Sequence, residues 1–227
     1  MLGHLLLTKT DDEVAADIWR VRERTEHEAA ALFARLASDM SEAGVPDTLV
    51  TLAKRSSDDE RTHAGHCRRI VDELSVGHDP LEPDLDIVLG NERTPLRRAL
   101  YTSVALGCIT ETLSTALLIE MRPHARLGVL RDGLDAILAD EVRHSRLGWA
   151  HLAFEAERGE VSWLDASVPA MVRDALAADV PPDAGPGVRD LRALGILARA
   201  DVKRIFELTF ETTIVPGLAR FGVRSSA

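Results

Sequence analysis

Residues 75–93 read SVGHDPLEPDLDIVLGNER, and this stretch decides the fold. Pro80 and Pro83 cannot continue a helix, and Gly77, Gly90 and Asn91 are turn formers, so the segment is a connection. A connection of this length is out of place in a compact domain unless the topology requires it. One topology does: a four-helix bundle whose second and third helices are parallel neighbours, so that the chain must travel the whole bundle length between them.

On the N-terminal side of the loop, Leu49, Ala53, Ser56, Glu60, His63, Cys67, Ile70 and Leu74 recur at helical spacing and predict a helix from about Asp47 to Leu74. Before it, Thr10 and Glu13 form a capping box that opens a first helix. Its expected inward stripe is Ile18, Val21, Thr25, Glu28, Leu32 and Leu36, and it ends near Gly44-Val45-Pro46. The short join makes these two helices antiparallel. On the C-terminal side, Thr94 as cap and Pro95 at the first position start a third helix that runs to about Met121. Pro123 and Gly128 break the chain, and a fourth helix covers roughly Leu130 to Arg158. Beyond Val161 a shorter helix is expected over Val168 to Asp179, then a hinge at Pro181-Pro182-Asp183-Ala184-Gly185-Pro186-Gly187, then a last helix up to Pro216. β-Branched runs are scarce and aromatics are only 4%, so no sheet is expected. The expected architecture is all-α, with residues 1–160 as the bundle and 161–227 as a helical extension packed on it within the same domain.

A net charge of −10 over 227 residues repels phosphate backbones and anionic lipid, which argues against nucleic-acid and membrane partners. The apolar run Leu5, Leu6, Leu7 lacks the basic flank and cleavage site of a secretory signal, and no run of about 18 uninterrupted apolar residues occurs. Cys67 and Cys108 are too few for a disulfide framework or a zinc knuckle, and a reducing cytoplasm is the expected location.

Two pentapeptides carry the chemistry: Asp59-Glu60-Arg61-Thr62-His63 and Asp140-Glu141-Val142-Arg143-His144. Glu and His three apart lie about 60° and about 4.5 Å from one another on one helical face, so both can reach one metal in a bundle core. From 17 Glu, 20 Asp and 8 His, chance predicts about 0.05 occurrences of Asp-Glu-x-x-His. The chain has two, so the spacing reads as a site. A two-metal site needs one further carboxylate from each of the other two helices at matching depth. Glu28, on the expected stripe of the first helix, and Glu111, among Leu100, Val104, Cys108 and Leu118, meet that need. Glu23 and Glu26 are expected to point away, and Glu120 lies too close to the loop. The alternative for each residue is surface charge on an amphipathic helix, which their joint placement on apolar stripes disfavours. Four carboxylates and two imidazoles suit Fe or Mn. His151, two turns past His144, suits either a pocket-lining group or a satisfied core histidine, whereas Tyr101 reads as packing.

The pattern resembles the ferritin-like di-iron carboxylate superfamily over about residues 13–158. More narrowly, the two motifs resemble those of the bacterial methane and toluene monooxygenase hydroxylases, with Arg143 completing Asp-Glu-x-Arg-His in the second and Arg61 and Thr62 in exchanged order in the first. The resemblance implies that Asp59 supports His144 and Asp140 supports His63. It also implies that Thr115 stands beside the oxygen-binding face and helps deliver protons, and that Cys67 lines the pocket. Glu28, Glu60 and His63 would chiefly hold one metal, Glu111, Glu141 and His144 the other, with one carboxylate of each half bridging. The expected cofactors are two Fe, with Mn as an alternative at one or both sites, and O2 is the expected co-substrate. The expected function is a di-iron monooxygenase or oxidase, hydroxylating, N-oxygenating or desaturating a small organic substrate. No flavin motif or paired Cys is present, so electrons would come from an external reductase or ferredoxin. A homodimer is compatible with this reading. Ferroxidase or iron handling, and rubrerythrin-like peroxide scavenging, are the alternatives.

Overall fold

The computed structural model describes residues 9–74, 77, 79–179 and 190–224, and among them the chain is helical with no strand. The expected apolar run at Leu5–Leu7 and the hinge at residues 181–187 lie outside the described residues.

Helix α1 spans Asp11–Glu42 and opens on the capping box: Glu13 N–H donates to Thr10 Oγ1 at 3.2 Å and Thr10 N–H donates to Glu13 Oε2 at 2.7 Å. Gly44, at φ +70°, takes the left-handed conformation that turns the chain into α2, Asp47–Glu73. The helices pack along their lengths in opposite directions, tied by Ser57 Oγ to the Ala30 carbonyl at 2.8 Å and by Arg68 to Glu23 at 2.8 Å. Helix α3, residues 95–121, begins with Thr94 as cap and Pro95 in the first turn. It is Pro95–Thr102, a π-helical stretch Ser103–Thr110, and Glu111–Met121 in one continuous rod. After a 3-10 turn at Arg122–His124, α4 spans Gly128–Arg158. Helix α5 is Val168–Asp179, and α6, residues 199–220, again contains a π stretch, Phe210–Ile214.

The four long helices close a ring of contacts in which α1 packs on α2 and α3, and α4 packs on the same two. Arg98 meets Asp39 at 2.5 Å and Arg22 reaches Met121 Sδ at 3.6 Å, so α3 runs antiparallel to α1. Helices α2 and α3 therefore run parallel, which is what the long connection was expected to serve. They stand diagonally across the ring, however, and not side by side as expected, because each finds its close partners in α1 and α4. Helices α5 and α6 pack on α3, and Trp19 Nε1 donates to the Leu194 carbonyl at 2.9 Å, stitching the C-terminal segment to α1. The last helix does not stop at Pro216 but continues to Arg220. Pro216 follows directly on a π turn, where the helical register already shifts and its missing N–H is absorbed.

Where α3 crosses α4, a Cβ on Gly107 would stand 2.7 Å from Gly148 Cα, so only glycine on both sides permits the approach. Pro95–His124 is long and apolar enough to cross a membrane by length and composition, and 72% of its most apolar window is buried inside the protein.

Candidate metal centre

Each of the four long helices contributes acids to one buried spot. From α2 come Glu60 and His63, from α4 Glu141 and His144, from α3 Glu111, and from α1 Glu26. They form two overlapping groups, Glu26, Glu60, His63, Glu141 and Glu60, Glu111, Glu141, His144, with the ligand atoms of each group within 4.8 Å of one another. Glu60 and Glu141 belong to both groups. The i,i+3 spacing brings His63 Nδ1 to 3.1 Å from Glu60 Oε2 and His144 Nδ1 to 3.2 Å from Glu141 Oε2. Across the ring, His144 Nδ1 lies 2.9 Å from Glu60 Oε1 and His63 Nδ1 3.9 Å from Glu141 Oε1. Glu60 Oε1 is wholly buried and receives no aligned hydrogen bond.

The far nitrogens of both rings face carboxylates of the opposite half: His63 Nε2 is 3.2 Å from Asp140 Oδ2, and His144 Nε2 is 3.4 Å from Asp59 Oδ2. Arg143 donates to both Asp59, at 3.2 Å, and Asp140. An N–H directed from Nε2 to carboxylate would leave Nδ1 of each ring as the lone pair facing the cluster once a cation displaces its proton.

The buried acids and imidazoles shift one another strongly. Burial alone would raise the Glu60 carboxyl, but hydrogen bonds and charge from His144 and His63 outweigh it and bring it down to about 2. Burial would lower both imidazoles, yet their carboxylate partners, Glu26 and Glu60 for one and Glu141 and Glu60 for the other, push His63 up to about 12 and His144 up to about 10. Glu111, buried and facing the Glu141 charge, is raised well above the ordinary carboxylate range. Burial, with the Glu60 charge, likewise raises Glu26 against the opposing pull of His63. Without metal, the raised imidazoles favour their protonated forms beside Glu60, and burial shifts Glu26 and Glu111 toward their neutral forms.

Several expected roles fall elsewhere. Glu28 is in neither group. It accepts a hydrogen bond from the Asp84 N–H at 3.1 Å and pairs with Arg24 at 3.5 Å. Glu26 takes its place: it continues the buried series Trp19, Glu23, Ala30, Phe33, Ala37 and Met40, and Glu28 lies about 200° around the helix from it, although Leu32 and Leu36 of the expected stripe are buried as well. The rival stripe used Val21, which is 37% exposed. The two large aromatic side chains, Trp19 and Phe33, were the signal for the true face. Glu23 also turns inward, 3% exposed, and is gripped by the Arg68 guanidinium.

Thr115 does not line the space over the cluster; its hydroxyl donates to the Glu111 carbonyl at 2.8 Å, as hydroxyls one turn along a helix readily do. Cys67 is a fully buried core residue whose thiol burial pushes well up, and it lines no cavity there. His151 is set two turns from His144 in the core, Nδ1 2.7 Å from Ser103 Oγ, and burial lowers it to about 4, so it stays neutral.

Over the cluster lies a cavity of about 280 Å³ lined by Glu26, Glu60, Glu111 and Glu141 on one side. The loop residues Ile87, Val88, Leu89 and Gly90 and the α5 residues Met171, Asp174 and Ala175 close the other. Thr110, Ser114 and Tyr101 supply hydroxyls, and Tyr101 packs so tightly on Gly90 that a Cβ there would come within 2.8 Å of its ring. No protein-family model, curated protein or solved structure matches this chain.

Proposed function

We propose that the chain is a ferritin-like di-iron carboxylate protein: an O2-activating oxidoreductase acting on a small organic substrate. The observation that carries this reading is a pair of overlapping buried ligand groups sharing Glu60 and Glu141, set beneath a cavity. Four carboxylates and two neutral imidazoles form a hard-to-borderline donor set that fits two divalent Fe or Mn ions, and it leaves a buried Glu60 oxygen without an aligned donor for a cation to satisfy. Bound there, a pair of ferrous ions supplies the electrons for O2 chemistry that no side chain can give.

The protein's own part is positioning. Glu60 and Glu141, which belong to both groups, would help hold both ions, while Glu26 and Glu111 would each complete the hold on one. Asp59 and Asp140 hold the Nε2 protons of His144 and His63, and Arg143 between them keeps both carboxylates in place. The apolar roof from the crossover and α5 excludes water from the space where a substrate would lie. Ser114, one turn after Glu111, places a hydroxyl in that space as a proton donor or acceptor. Electrons would come from a separate reductase or ferredoxin, and the two free thiols, Cys67 and Cys108, fit a reducing cytoplasm.

Protein purified from iron-replete cells should carry about two Fe or Mn per chain, and the Glu141→Ala, His144→Ala variant should lose most of it. Near-zero metal in the native protein would sink this reading. Rapid oxidation of added iron well beyond two per chain would favour storage, and an oxygenase instead consumes O2 in step with an added electron donor.

A further inference from the structure

We propose that the cavity over the cluster takes a small, largely apolar amine, bound as its ammonium form. The proposal rests on the two-metal reading for what the amine meets there, but its recognition rests on the cavity wall alone. Three observations lead to it.

The first is charge. Among the described residues no Lys, Arg or His lines the cavity, and the two charged wall residues outside the ligand groups, Glu28 on α1 and Asp174 on α5, are both acids. Two divalent ions would neutralise the four ligand carboxylates, so in the loaded protein these two acids set the sign of the wall. A substrate bearing a carboxylate or phosphate would enter without any counter-charge from the wall, whereas an ammonium would find one.

The second is placement. Glu28 is held in position by the Asp84 N–H at 3.1 Å and by Arg24 at 3.5 Å, with its side chain only 17% exposed, so it is a fixed part of the wall. Asp174, its side chain 68% exposed, pairs with Arg173 at 3.9 Å and forms the solvent-facing edge of the wall.

The third is size and polarity. At about 280 Å³ the cavity lies at the lower edge of small-molecule sites, about 300–1,000 Å³. Leu32, Ile87, Leu89, Leu106 and Met171 offer hydrocarbon contact, which suits a compact ring or short chain attached to the nitrogen.

The test is calorimetric titration of three molecules of similar size, 2-phenylethylamine, n-propylbenzene and phenylacetate, into the full chain, both metal-free and loaded with Mn(II). The amine should bind about ten-fold more tightly than phenylacetate in both forms. The variant Glu28→Gln, Asp174→Asn should weaken the amine by about five-fold while leaving n-propylbenzene and metal content unchanged. Equal or tighter binding of phenylacetate, an amine preference that survives the double variant, or no binding by any of the three overturns the proposal. If the protein takes up no Mn(II) yet the amine preference appears in the metal-free chain and vanishes in the variant, the two-metal reading fails and the recognition stands.

Discussion

The two halves of the centre reach the same chemistry by different routes. In the α1–α2 half, two regular helices joined by a tight turn bring Glu26 and the Glu60–His63 pair together, and the α1 ligand is half-buried beside the cavity. In the α3–α4 half, a π-helical stretch ends directly before Glu111, the ligand is 3% exposed, and the rods touch backbone to backbone at Gly107 and Gly148. A local change of register thus stands on one side where the other needs none. The difference teaches that the pseudo-repeat lies in the ligand atoms and not in the residue spacing. Glu28 to Glu60 is 32 residues and Glu111 to Glu141 is 30, a near match that favoured the wrong Glu of α1; the structural partner, Glu26, is 34 residues from Glu60.

The comparison can be broken most severely at the residues both halves share. Glu60→Gln or Glu141→Gln should cost nearly all bound metal, while Glu26→Gln or Glu111→Gln should cost about one ion of two, and Glu28→Gln essentially none, read by elemental analysis. Metal loss in Glu28→Gln with retention in Glu26→Gln would reverse the assignment in the first half.

Protons give the next effect. His63 and His144 are held up at about 12 and about 10, and Glu26 and Glu111 are raised as well, so a metal entering the proposed centre would compete with protons. Loading should release protons, those of the two imidazoles among them, and apparent affinity should fall as pH is lowered. For the metal-free protein the sign follows from linkage. Raised imidazole pKa values contribute stability that is full below the unfolded value of about 6.5 and is lost as pH rises through the folded values. The raised carboxyls act in the same direction from about 4.5 upward, and Glu60, lowered to about 2, acts oppositely only in acid. Denaturant unfolding of the metal-free protein should therefore show lower stability at pH 9 than at pH 6. An equal or higher value at pH 9 would contradict the charge arrangement.

The smallest expected effect sharpens the second half alone. Gly107→Ala should cost about 1–3 kcal/mol of stability by forcing α3 from α4 at Gly148. It should weaken the Glu111 position more than the Glu26 position, which paired loading measurements with Glu26→Gln and Glu111→Gln backgrounds can separate. Unchanged stability would mean that the rods have room to part.

Much of the architecture was legible before any coordinates. The caps at Thr10 and Thr94, the breaks at Pro46 and Pro123, and the α5 limits are local signals, and the structure places elements where they point. Local signals failed where packing decides. Thr115 and Cys67 carry suitable functional groups, but a helix position says nothing of which neighbour a side chain meets: half-buried Thr115 turns its hydroxyl to its own helix and Cys67 is spent in the core, while His151 takes the core place that was one of its two readings.

The sequence by itself determined that Glu60 and His63, and Glu141 and His144, act as pairs, because three residues along one helix fix both the rise and the angle between them. It also determined that α2 and α3 run parallel, because only a full-length return accounts for the connection between them. The tertiary structure alone decided that Glu26 and not Glu28 joins the cluster, that α2 and α3 stand diagonally, and that the crossover and α5 roof a cavity whose wall, among the described residues, has no base. Those outcomes depend on how each helix is rotated about its own axis against its neighbours. That rotation is set by the burial of large side chains such as Trp19 and Phe33 across the whole core, a sum no single stretch of chain contains.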